Sequence, residues 1–412
     1  MTALSAPILP GSLVDGQPAT LGVMGGGQLG RMFVHAAQAL GYRTAVLDPD
    51  AASPAGLVSH VHVKSAYVDE EGLAQLARAC HAITTEFENV PAVALVALAK
   101  TRPVAPAATA VSVAQDRAAE KAHFVRCGVP CAPYAVIEST EQLDAIDAKL
   151  LPGILKTTRM GYDGKGQARV KNRAELAAAW AQMKQVPCVL EKLLKLEFEC
   201  SVIVARGHDG FCVNLPVQRN THRDGILAVT EVFKSNMPTG LAKHAQEAAK
   251  SIANELHYVG VLCVEFFVVR DGAGQKPRLV VNEIAPRPHN SGHYSMNACD
   301  VSQFELQVRT LAGLPLTQPR QHSPAVMLNL LGDIWPATGS VKWDKVLALP
   351  GTHLHLYGKT EARPGRKMGH LNITGKTTAE VQATALKAAR LLGIKPLAHW
   401  AIAAAAVGMA KT

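Results

Sequence analysis

Two lone acids stand in otherwise apolar stretches in the second half of the chain. Glu265 lies in GVLCVEFFVV and Glu283 in RLVVNEIA, and both stretches predict strands. The two residues are equidistant from a turn near Gly274, so a regular hairpin would place them opposite each other with Cβ atoms about 5 Å apart. Carboxylates that close repel each other unless a cation lies between them. Together with Asn282 they predict a Mg²⁺ site, with Mn²⁺ as a substitute; a slipped register with two exposed acids is the alternative.

A glycine-rich segment near the N-terminus predicts a phosphate-binding turn. Residues 25–30 read GGGQLG, fit G-x-G-x-x-G, and lie between a predicted strand and a predicted helix. Asp48 ends the next predicted strand, where dinucleotide-binding proteins carry a ribose-binding acid. The glycines require only that the backbone comes close to a phosphate at a helix N-terminus, and any sugar phosphate meets that condition. A tight turn without a ligand is the alternative.

A second glycine-rich segment, residues 156–167, reads KTTRMGYDGKGQ. It lies between two predicted strands, Ile154–Thr157 and Gln167–Val170, and does not fit the phosphate-loop pattern G-x-x-x-x-G-K-[ST]. A loop with cationic side chains and free amides predicts a mobile flap that closes over a triphosphate. A plain hairpin loop is the alternative.

Three further segments carry groups that suit nucleotide or phosphate recognition. Glu191 ends the apolar stretch CVLE and Glu199 lies in EFECSVIVA, where each acid either contacts a nucleotide or stands exposed at a strand end. Residues 285–293, APRPHNSGH, follow Glu283 as an irregular loop rich in hydrogen-bond donors. Residues 359–367 hold four cations, which predict either a phosphate clamp or a solvated basic loop.

The composition limits the classes of function. The chain has 412 residues, enough for two or three domains. Lys and Arg exceed Asp and Glu by 42 to 33, but the cations are dispersed and aromatic residues make up only 5%, which disfavours a nucleic-acid partner. No apolar run reaches the roughly 18 residues of a membrane helix, and the N-terminus does not resemble a secretory signal. The eight cysteines form no C-x-x-C pair, which predicts reduced thiols in a cytoplasmic protein.

The predicted elements divide the chain into three parts. Over roughly the first 110 residues, short apolar strands alternate with amphipathic helices, which predicts a doubly wound parallel α/β unit. A helix near Asp116–Cys127 then leads into a long antiparallel section, and a linker near Pro315 precedes short strands and a closing helix. We place the domain boundaries at 1–114, 115–316, with a flap subdomain at about 134–195, and 317–412.

Taken together, these segments resemble the ATP-grasp carboxylate–amine ligases and, within them, the N5-carboxyaminoimidazole ribonucleotide synthetases. The stretches that carry the resemblance lie between residues 20 and 375 and include GYDGKGQ (161–167), NEIAPRPHNSGH (282–293) and RPGRKMGHLN (363–372). The resemblance implies an α/β ATP-grasp fold with an N-terminal pre-ATP-grasp domain and a small mixed α+β C-terminal domain. It also implies a cytoplasmic homodimer that converts ATP, bicarbonate and 5-aminoimidazole ribonucleotide to ADP, phosphate and N5-carboxyaminoimidazole ribonucleotide in purine biosynthesis.

The same resemblance implies three groups of site residues, carried over motif by motif. ATP would be bound by Arg117, Lys156, Gly161, Tyr162, Asp163, Gly164, Lys165, Gly166, Gln167, Glu191, Lys192, Leu193, Leu194, Glu199, His222, Asn282 and Glu283. The ribonucleotide would be bound by Gln28, Leu29, Glu86, Tyr162, Arg287, His289, Asn290, Lys359, Arg366 and Lys367. Catalytic roles would fall to Lys156, Asp163, Lys165, Arg287 and His289, and the metal would be held by Glu265 and Glu283.

In the implied mechanism, bicarbonate attacks the γ-phosphate and gives carboxyphosphate. That intermediate is labile in water, so the flap must close over it, and no side-chain nucleophile is required. A turn at Pro364 and Gly365 would bring Lys359 and Arg366 to the ribonucleotide phosphate, with the amides of Gln28 and Leu29 opposite them. Met160 departs from the family, which usually carries glycine there, and we expect it to stiffen the flap.

Three alternatives remain open on the sequence alone. A nicotinamide-dependent oxidoreductase would use residues 25–30 and Asp48, but it leaves Glu265 and Glu283 unexplained. The formate-dependent glycinamide ribonucleotide transformylase shares the phosphate-binding positions, and the HNSGH and RPGRK stretches argue against it. The third alternative is a nucleotide-sensing protein without turnover.

Overall fold

The computed structural model describes residues 4, 6–161, 166–270, 272 and 274–406. Tyr162, Asp163, Gly164 and Lys165, four of the expected flap residues, lie outside the described residues. Among the helices of the described ranges, none combines the length and the apolar character that a membrane span needs.

The N-terminal part is a parallel sheet flanked by helices, as predicted. Its strands take the order β5-β4-β3-β6, and a two-stranded ribbon, β1 with β2, precedes it. Leu21 and Val23 of the central strand are fully buried, so this sheet contains its own apolar core. The elements are β1 (Leu13–Val14), β2 (Gln17–Pro18), β3 (Thr20–Met24), α1 (Gln28–Ala39), β4 (Arg43–Leu47), β5 (Val61–Val63), α2 (Glu70–Ala79), β6 (Ala82–Thr85), α3 (Ala92–Leu98) and α4 (Ala108–Ala114).

A small antiparallel sheet follows and carries the ends of the expected flap. Its strands take the order β7-β10-β8-β9, and Trp180 packs with Leu155 and Leu190 on its buried face. Because Lys156 of β8 pairs with Gln167 of β9, the two ends of the expected flap lie side by side at one end of these strands. The elements are α5 (Arg117–Arg126), β7 (Tyr134–Ile137), α6 (Thr140–Asp144), β8 (Gly153–Thr157), β9 (Gln167–Val170), α7 (Arg173–Gln182) and β10 (Cys188–Lys192).

One large antiparallel sheet joins the middle of the chain to its C-terminal part. Its order is β16-β15-β11-β13-β14-β17-β19-β18, with β12 paired to β11. The C-terminal strands thus extend the same sheet through the pairing of β14 with β17. The elements are β11 (Leu196–Arg206), β12 (Cys212–Asn214), β13 (Gln218–Arg223), β14 (Ile226–Val232), α8 (Thr239–Glu255), β15 (Gly260–Val269), β16 (Arg278–Ala285), α9 (Ser295–Ala298), α10 (Gln303–Ala312), β17 (Ala325–Leu331), α11 (Trp343–Leu347), β18 (Thr352–Leu356), β19 (Lys367–Thr374), α12 (Thr378–Leu391) and α13 (Ala398–Ala406).

The hairpin of β15 and β16 places Glu265 opposite Glu283, as predicted. The ladder is not regular, because Phe266 pairs with Val281 and the register shifts beside Glu265. Asn282 is therefore the extra residue of a β-bulge. Val281 and Ile284, three positions apart, both reach the same apolar core, and Glu283 is left on the other side of the sheet with Glu265.

Candidate active site

A cleft of about 890 Å³ lies where the N-terminal part, the small antiparallel sheet and the large sheet meet. Most of the described residues that the sequence assigned to the site line it. These are Gln28, Leu29, Glu86, Arg117, Lys156, Gly161, Gln167, Glu191, Lys192, Leu193, Leu194, Glu199, His222, Glu265, Asn282, Glu283, Arg287, His289, Asn290, Lys359 and Lys367. Two described residues that the sequence assigned to the site, Gly166 and Arg366, are not part of this lining.

The paired acids of the hairpin have opposite protonation tendencies. Burial and the neighbouring Glu283 raise the pKa of Glu265 to about 7. Partial burial works against ionisation of Glu283 as well, but Arg117, whose Nη1 lies 3.1 Å from Glu283 Oε2, and Lys156 hold its pKa below the usual range. Among the described residues, the buried Oδ1 of Asn282 has no hydrogen-bond partner. Two carboxylates and an unpartnered amide oxygen are the hard donor set that Mg²⁺ takes.

Two lysines flank a single buried carboxylate, that of Glu191, which lines the cleft. Glu191 lies 3.1 Å from Lys156 Nζ and 3.3 Å from Lys121 Nζ. Burial lowers the pKa of Lys156, and Glu191 opposes that shift. Lys121 also donates to the carbonyl oxygen of Asn282 at 3.0 Å, so it satisfies a carbonyl of the bulge. Sequence analysis missed Lys121, whose neighbours in α5 show little amphipathic pattern.

Two histidines each contact an acid of the large sheet. His222 Nδ1 lies 2.7 Å from Glu199 Oε2; burial opposes its protonation, but that contact raises the pKa of His222. His289 Nε2 lies 3.1 Å from Glu265 Oε1, and burial and the nearby Arg287 hold the pKa of His289 well below its usual value. His222 therefore favours the protonated ring and His289 the neutral ring.

Arg287 is oriented by a residue that sequence analysis did not find. Its Nη2 lies 2.6 Å from Glu88 Oε2, and its Nη1 donates to the carbonyl oxygen of Pro288 at 3.1 Å. Glu88 follows by two positions Glu86, which the family resemblance assigns to the site, and this proximity is the signal that points to it. The ion pair fixes the guanidinium at the edge of the cleft beside His289.

Three backbone amides of the glycine-rich turn at residues 25–30 are hydrogen-bonded to an acid of the same chain, Glu86. Glu86 accepts hydrogen bonds from the amides of Gly27, Leu29 and Gly30 at 2.8, 3.1 and 3.0 Å. The expectation that the Leu29 amide faces a substrate phosphate is therefore wrong for this structure, because Glu86 already accepts its proton. A Cβ atom on Gly27 would lie 2.4 Å from Glu86 Oε1, which explains the glycine there.

Asp48, the acid of the dinucleotide-binding pattern, is also engaged in hydrogen bonds within the protein. Asp48 Oδ2 accepts from the amide of Gly26 and from the hydroxyl of Tyr67, both at 2.6 Å. A ribose-binding acid must offer its oxygens to the ligand. These internal bonds argue against a nicotinamide-dependent oxidoreductase.

Of the basic residues near the C-terminus, Lys359 and Lys367 line the cleft. Lys359 Nζ donates to Gln28 Oε1 at 2.6 Å and to the carbonyl oxygen of Lys367 at 2.7 Å. Burial and the nearby Arg366 lower the pKa of Lys359 to about 8. Arg366 donates to the carbonyl oxygen of Glu361 at 2.8 Å, so that contact, rather than the expected turn toward the phosphate, sets its orientation.

A buried acid beside the site makes a pH-dependent contribution to stability. Burial raises the pKa of Glu120 to about 8 from 4.5, and its Oε1 accepts from the amide of Ile284 at 2.7 Å. Between those pH values the folded protein holds a proton that the unfolded chain releases, so this contribution is lost as pH rises. We expect Glu120→Gln, which stays neutral, to unfold a few degrees above the wild type at about pH 8, with the difference shrinking toward about pH 5.

Thermal unfolding across this pH range checks the prediction. Glu247→Gln on the exposed face of α8 is the matched control and should show no such pH-dependent difference. A Glu120→Gln difference that stays constant with pH would contradict the assignment of the buried proton.

Family models match three successive parts of the chain. Residues 18–115 match the ribonucleotide synthetase pre-ATP-grasp domain, residues 122–304 the ATP-grasp domain, and residues 325–384 the phosphoribosylaminoimidazole carboxylase C-terminal domain. The boundaries at 114 and 316 stay predictions.

Curated relatives match over most of the chain. N5-carboxyaminoimidazole ribonucleotide synthase of Brucella melitensis is 44% identical over 355 residues, which cover 85% of this chain and 95% of the relative. The protein of the same name from Bacillus subtilis is 39% identical over 356 residues, 86% of this chain and 91% of the relative.

Solved structures match the fold with similar coverage. N5-carboxyaminoimidazole synthetase from Staphylococcus aureus, complexed with ADP, superimposes with a TM-score of 0.83 at 35% identity, covering 95% of this chain and all of that one, 100%. N5-carboxyaminoimidazole synthase from Aspergillus clavatus, in complex with ADP and 5-aminoimidazole ribonucleotide, gives a TM-score of 0.82 at 30% identity, covering 91% of this chain and 99% of that one.

Proposed function

The chain belongs to the N5-carboxyaminoimidazole ribonucleotide synthase family, and from this premise we propose how its residues carry the reaction. The protein is an ATP-dependent ligase that carboxylates 5-aminoimidazole ribonucleotide in purine biosynthesis. The observation that carries the assignment of the site is the pairing of Glu265 with Glu283 beside Lys156 in one cleft.

We propose that the nucleotide binds between the small antiparallel sheet and the hairpin of β15 and β16. Lys156 pairs there with Glu191, and Arg117 pairs with Glu283. These two cations suit the β- and γ-phosphates of ATP. Glu265, Glu283 and Asn282 fit Mg²⁺, which when bound neutralises the charge of the nucleotide phosphates. Glu191, with Lys192, Leu193 and Leu194, continues along the same wall and suits the adenosine.

The reacting end lies at Arg287, His289 and Asn290. Arg287 is held by Glu88, so its charge is pre-oriented toward an anion such as bicarbonate or the transferring phosphoryl group. The Nδ2 of Asn290 is buried and, among the described residues, has no hydrogen-bond partner, so it is a free donor for a ligand oxygen. Carboxyphosphate formed at this point would be protected by the depth of the cleft. Its carboxyl group passes to the exocyclic amine of the ribonucleotide, while phosphate leaves and takes up the proton that the amine gives up.

The ribonucleotide phosphate is proposed to bind at Lys359 and Lys367, at the end of the cleft nearest α1. Lys359 is charged below about pH 8 and reaches Gln28, so a cation and an amide lie together there. Glu86 supports this end indirectly, because its carboxylate holds the start of α1 in place.

Phosphate release by the purified protein tests the function directly. We expect release of phosphate from ATP only when bicarbonate and 5-aminoimidazole ribonucleotide are both present, with N5-carboxyaminoimidazole ribonucleotide formed in equal amount. Formate with glycinamide ribonucleotide should give no phosphate, and NADH should give no absorbance change. Turnover with formate and glycinamide ribonucleotide instead would assign the chain to the transformylase.

Lys359→Met should raise KM for the ribonucleotide about 10- to 100-fold, since a charge-assisted contact contributes roughly 1.5–3 kcal/mol. KM for ATP should stay unchanged, because the hydrogen bonds of Lys359 are with Gln28 and the carbonyl oxygen of Lys367, and neither residue is proposed to bind the nucleotide. In the wild type, kcat/KM for the ribonucleotide should fall as pH rises through about 8, where Lys359 loses its proton. Steady-state kinetics with each substrate varied in turn, repeated across pH, measure both KM values and the pH dependence of kcat/KM.

Lys359→Arg serves as the control, because arginine keeps its charge and should move the fall in kcat/KM to higher pH. Arg366→Met tests the expectation from sequence that Arg366 also binds the phosphate. A larger effect from Arg366→Met than from Lys359→Met would show that the phosphate lies elsewhere.

The remaining expectations concern Mg²⁺ dependence, assembly and location. Omission of Mg²⁺ should abolish turnover, and light scattering of the purified protein should show a homodimer. The resemblance to the family supports both expectations and a cytoplasmic location.

A further inference from the structure

Cys263 brings a thiol to the acid pair, and the proposed reaction gives it no role. It lies two residues before Glu265 on β15, so both side chains share one side of the sheet. One ligand atom from each of Cys263, Glu265 and His289 lies within 4.8 Å of the other two. A thiol, a carboxylate and an imidazole form the donor set of Zn²⁺ rather than of Mg²⁺.

A chain of hydrogen bonds fixes which nitrogen of His289 can bind a metal. Gln218 uses its amide nitrogen for the carbonyl of Pro216, so its Oε1, 3.0 Å from Ser201 Oγ, must accept the proton of that hydroxyl. Ser201 Oγ also accepts from Asn220 Nδ2 at 2.8 Å. Because the one proton of Ser201 is used on Gln218, we assign the proton of the 2.8 Å contact between the hydroxyls of Ser201 and Ser291 to Ser291. Having used its only proton, Ser291 accepts from His289 Nδ1 at 3.0 Å.

This direction of donation leaves the other ring nitrogen free for a ligand. The backbone amide of Ser291 is farther from Nδ1, at 3.4 Å, and competes weakly. With Nδ1 as the donor, His289 Nε2 carries no proton of its own, so the proton in its 3.1 Å contact with Glu265 Oε1 belongs to the carboxyl group. A cation that replaces this proton would meet the lone pair of Nε2. Histidines that ligate metals are held in this way, with the second ring nitrogen donating to a fixed oxygen.

We propose that Cys263, Glu265 and His289 form a site for a thiophilic divalent cation such as Zn²⁺, and that its occupation stops the carboxylation. The thiol proton and the proton between Glu265 and His289 pass to solvent as the cation binds, and three protein ligands leave one position open. Binding itself does not depend on the function proposed above, whereas inhibition does. Inhibition follows because Glu265 is withdrawn from the acid pair and His289 from the reacting end.

Direct binding is tested with Co²⁺, a spectroscopic substitute for Zn²⁺. The purified full chain should develop the near-ultraviolet absorption of a cobalt–thiolate bond, and added Zn²⁺ should remove it. Cys263→Ala should lack the band. Cys200→Ala should keep it, because Cys200 is equally buried on the adjacent β11 but packs in the core on the other side of the sheet. A band that is absent from the wild type, or that survives in Cys263→Ala, overturns the site.

Inhibition is tested separately with Zn²⁺ titrated at saturating Mg²⁺ and ATP. Cys263→Ala should keep near-normal activity without Zn²⁺, which also shows that it folds, and should need at least about tenfold more Zn²⁺ for half-inhibition. Ser201→Ala, which breaks the chain behind His289, should weaken Zn²⁺ binding by about 10- to 100-fold. Equal inhibition of wild type and Cys263→Ala would overturn the inhibitory role. If the wild type shows no carboxylation at all, the proposed function fails while the cobalt band still decides the site.

Discussion

Replacement of Glu265 or Glu283 by glutamine is expected to lower ATP turnover by about 10³-fold or more. Each change removes one anionic oxygen ligand from the proposed Mg²⁺ site, and a metal in that position contributes several kcal/mol of charge stabilisation. The phosphate release assay at saturating substrates measures the loss. Higher Mg²⁺ concentrations should restore part of the activity, because the remaining carboxylate and Asn282 still offer oxygen ligands.

Glu197→Gln is the matched control for the acid pair. Glu197 lies on the neighbouring β11 and pairs with the side chain of Arg270, outside the cleft lining. Its replacement should leave turnover unchanged. Glu265→Gln should not lower the unfolding temperature, since in the wild type Glu265 faces Glu283 and the two carboxyl groups disfavour each other's charge when no cation is present. Near-normal turnover in either acid variant would mean that the pair does not hold the metal.

Arg287→Met should lower kcat by about 10³-fold, the lower end of the range for an arginine that stabilises a transferring phosphoryl group. The loss should appear in kcat rather than in KM for ATP, because the guanidinium is placed for charge that develops during the reaction. Arg287→Lys should recover only a small part of the lost kcat. The lysine ammonium is a compact charge and cannot contact Glu88 and a substrate anion at once in the way that the planar guanidinium can.

Arg309→Met removes the same charge from α10, where Arg309 pairs with Glu305 away from the cleft. That variant should keep normal kinetics. Glu88→Gln should lower kcat less than Arg287→Met does, because the guanidinium remains and only its orientation is loosened. If Arg287→Met changed KM for the ribonucleotide alone, Arg287 would be a binding residue and not a catalytic one.

Much of the fold was predictable because strands and helices here follow simple patterns. The predicted strand at Gln167–Val170 has the observed bounds, and Val61–Val63 does too. The strand β13 was missed, because QRNTHR carries no apolar alternation and is recognised as a strand only by its neighbours β11 and β14. Tertiary pairing, and not local sequence, makes this segment a strand.

The site was predictable where chemistry showed as a polar residue in an apolar strand. Glu265 and Glu283 are such residues, and the structure pairs them. Lys121 was missed, since a lysine in a helix has no local feature that distinguishes a buried residue beside the site from an exposed one. Glu88 was missed although it follows Glu86 by only two positions. The Leu29 amide was misread because the partner that occupies it, Glu86, is 57 residues away in sequence.

The bulge at Asn282 has a consequence for how this hairpin tolerates insertions and deletions. Removal of Asn282 would join Val281 directly to Glu283 and leave a regular ladder, in which Phe266 still faces Val281 and Glu265 still faces Glu283. Removal of any residue from 278 to 281 would instead turn the side chains between the deletion and the hairpin turn to the opposite side of the sheet. Asn282 is thus the position in β16 where a single-residue deletion keeps both the acid pair and the facing of residues 278–281. Its cost would be confined to the carbonyl that Lys121 holds and to the amide oxygen offered to the metal.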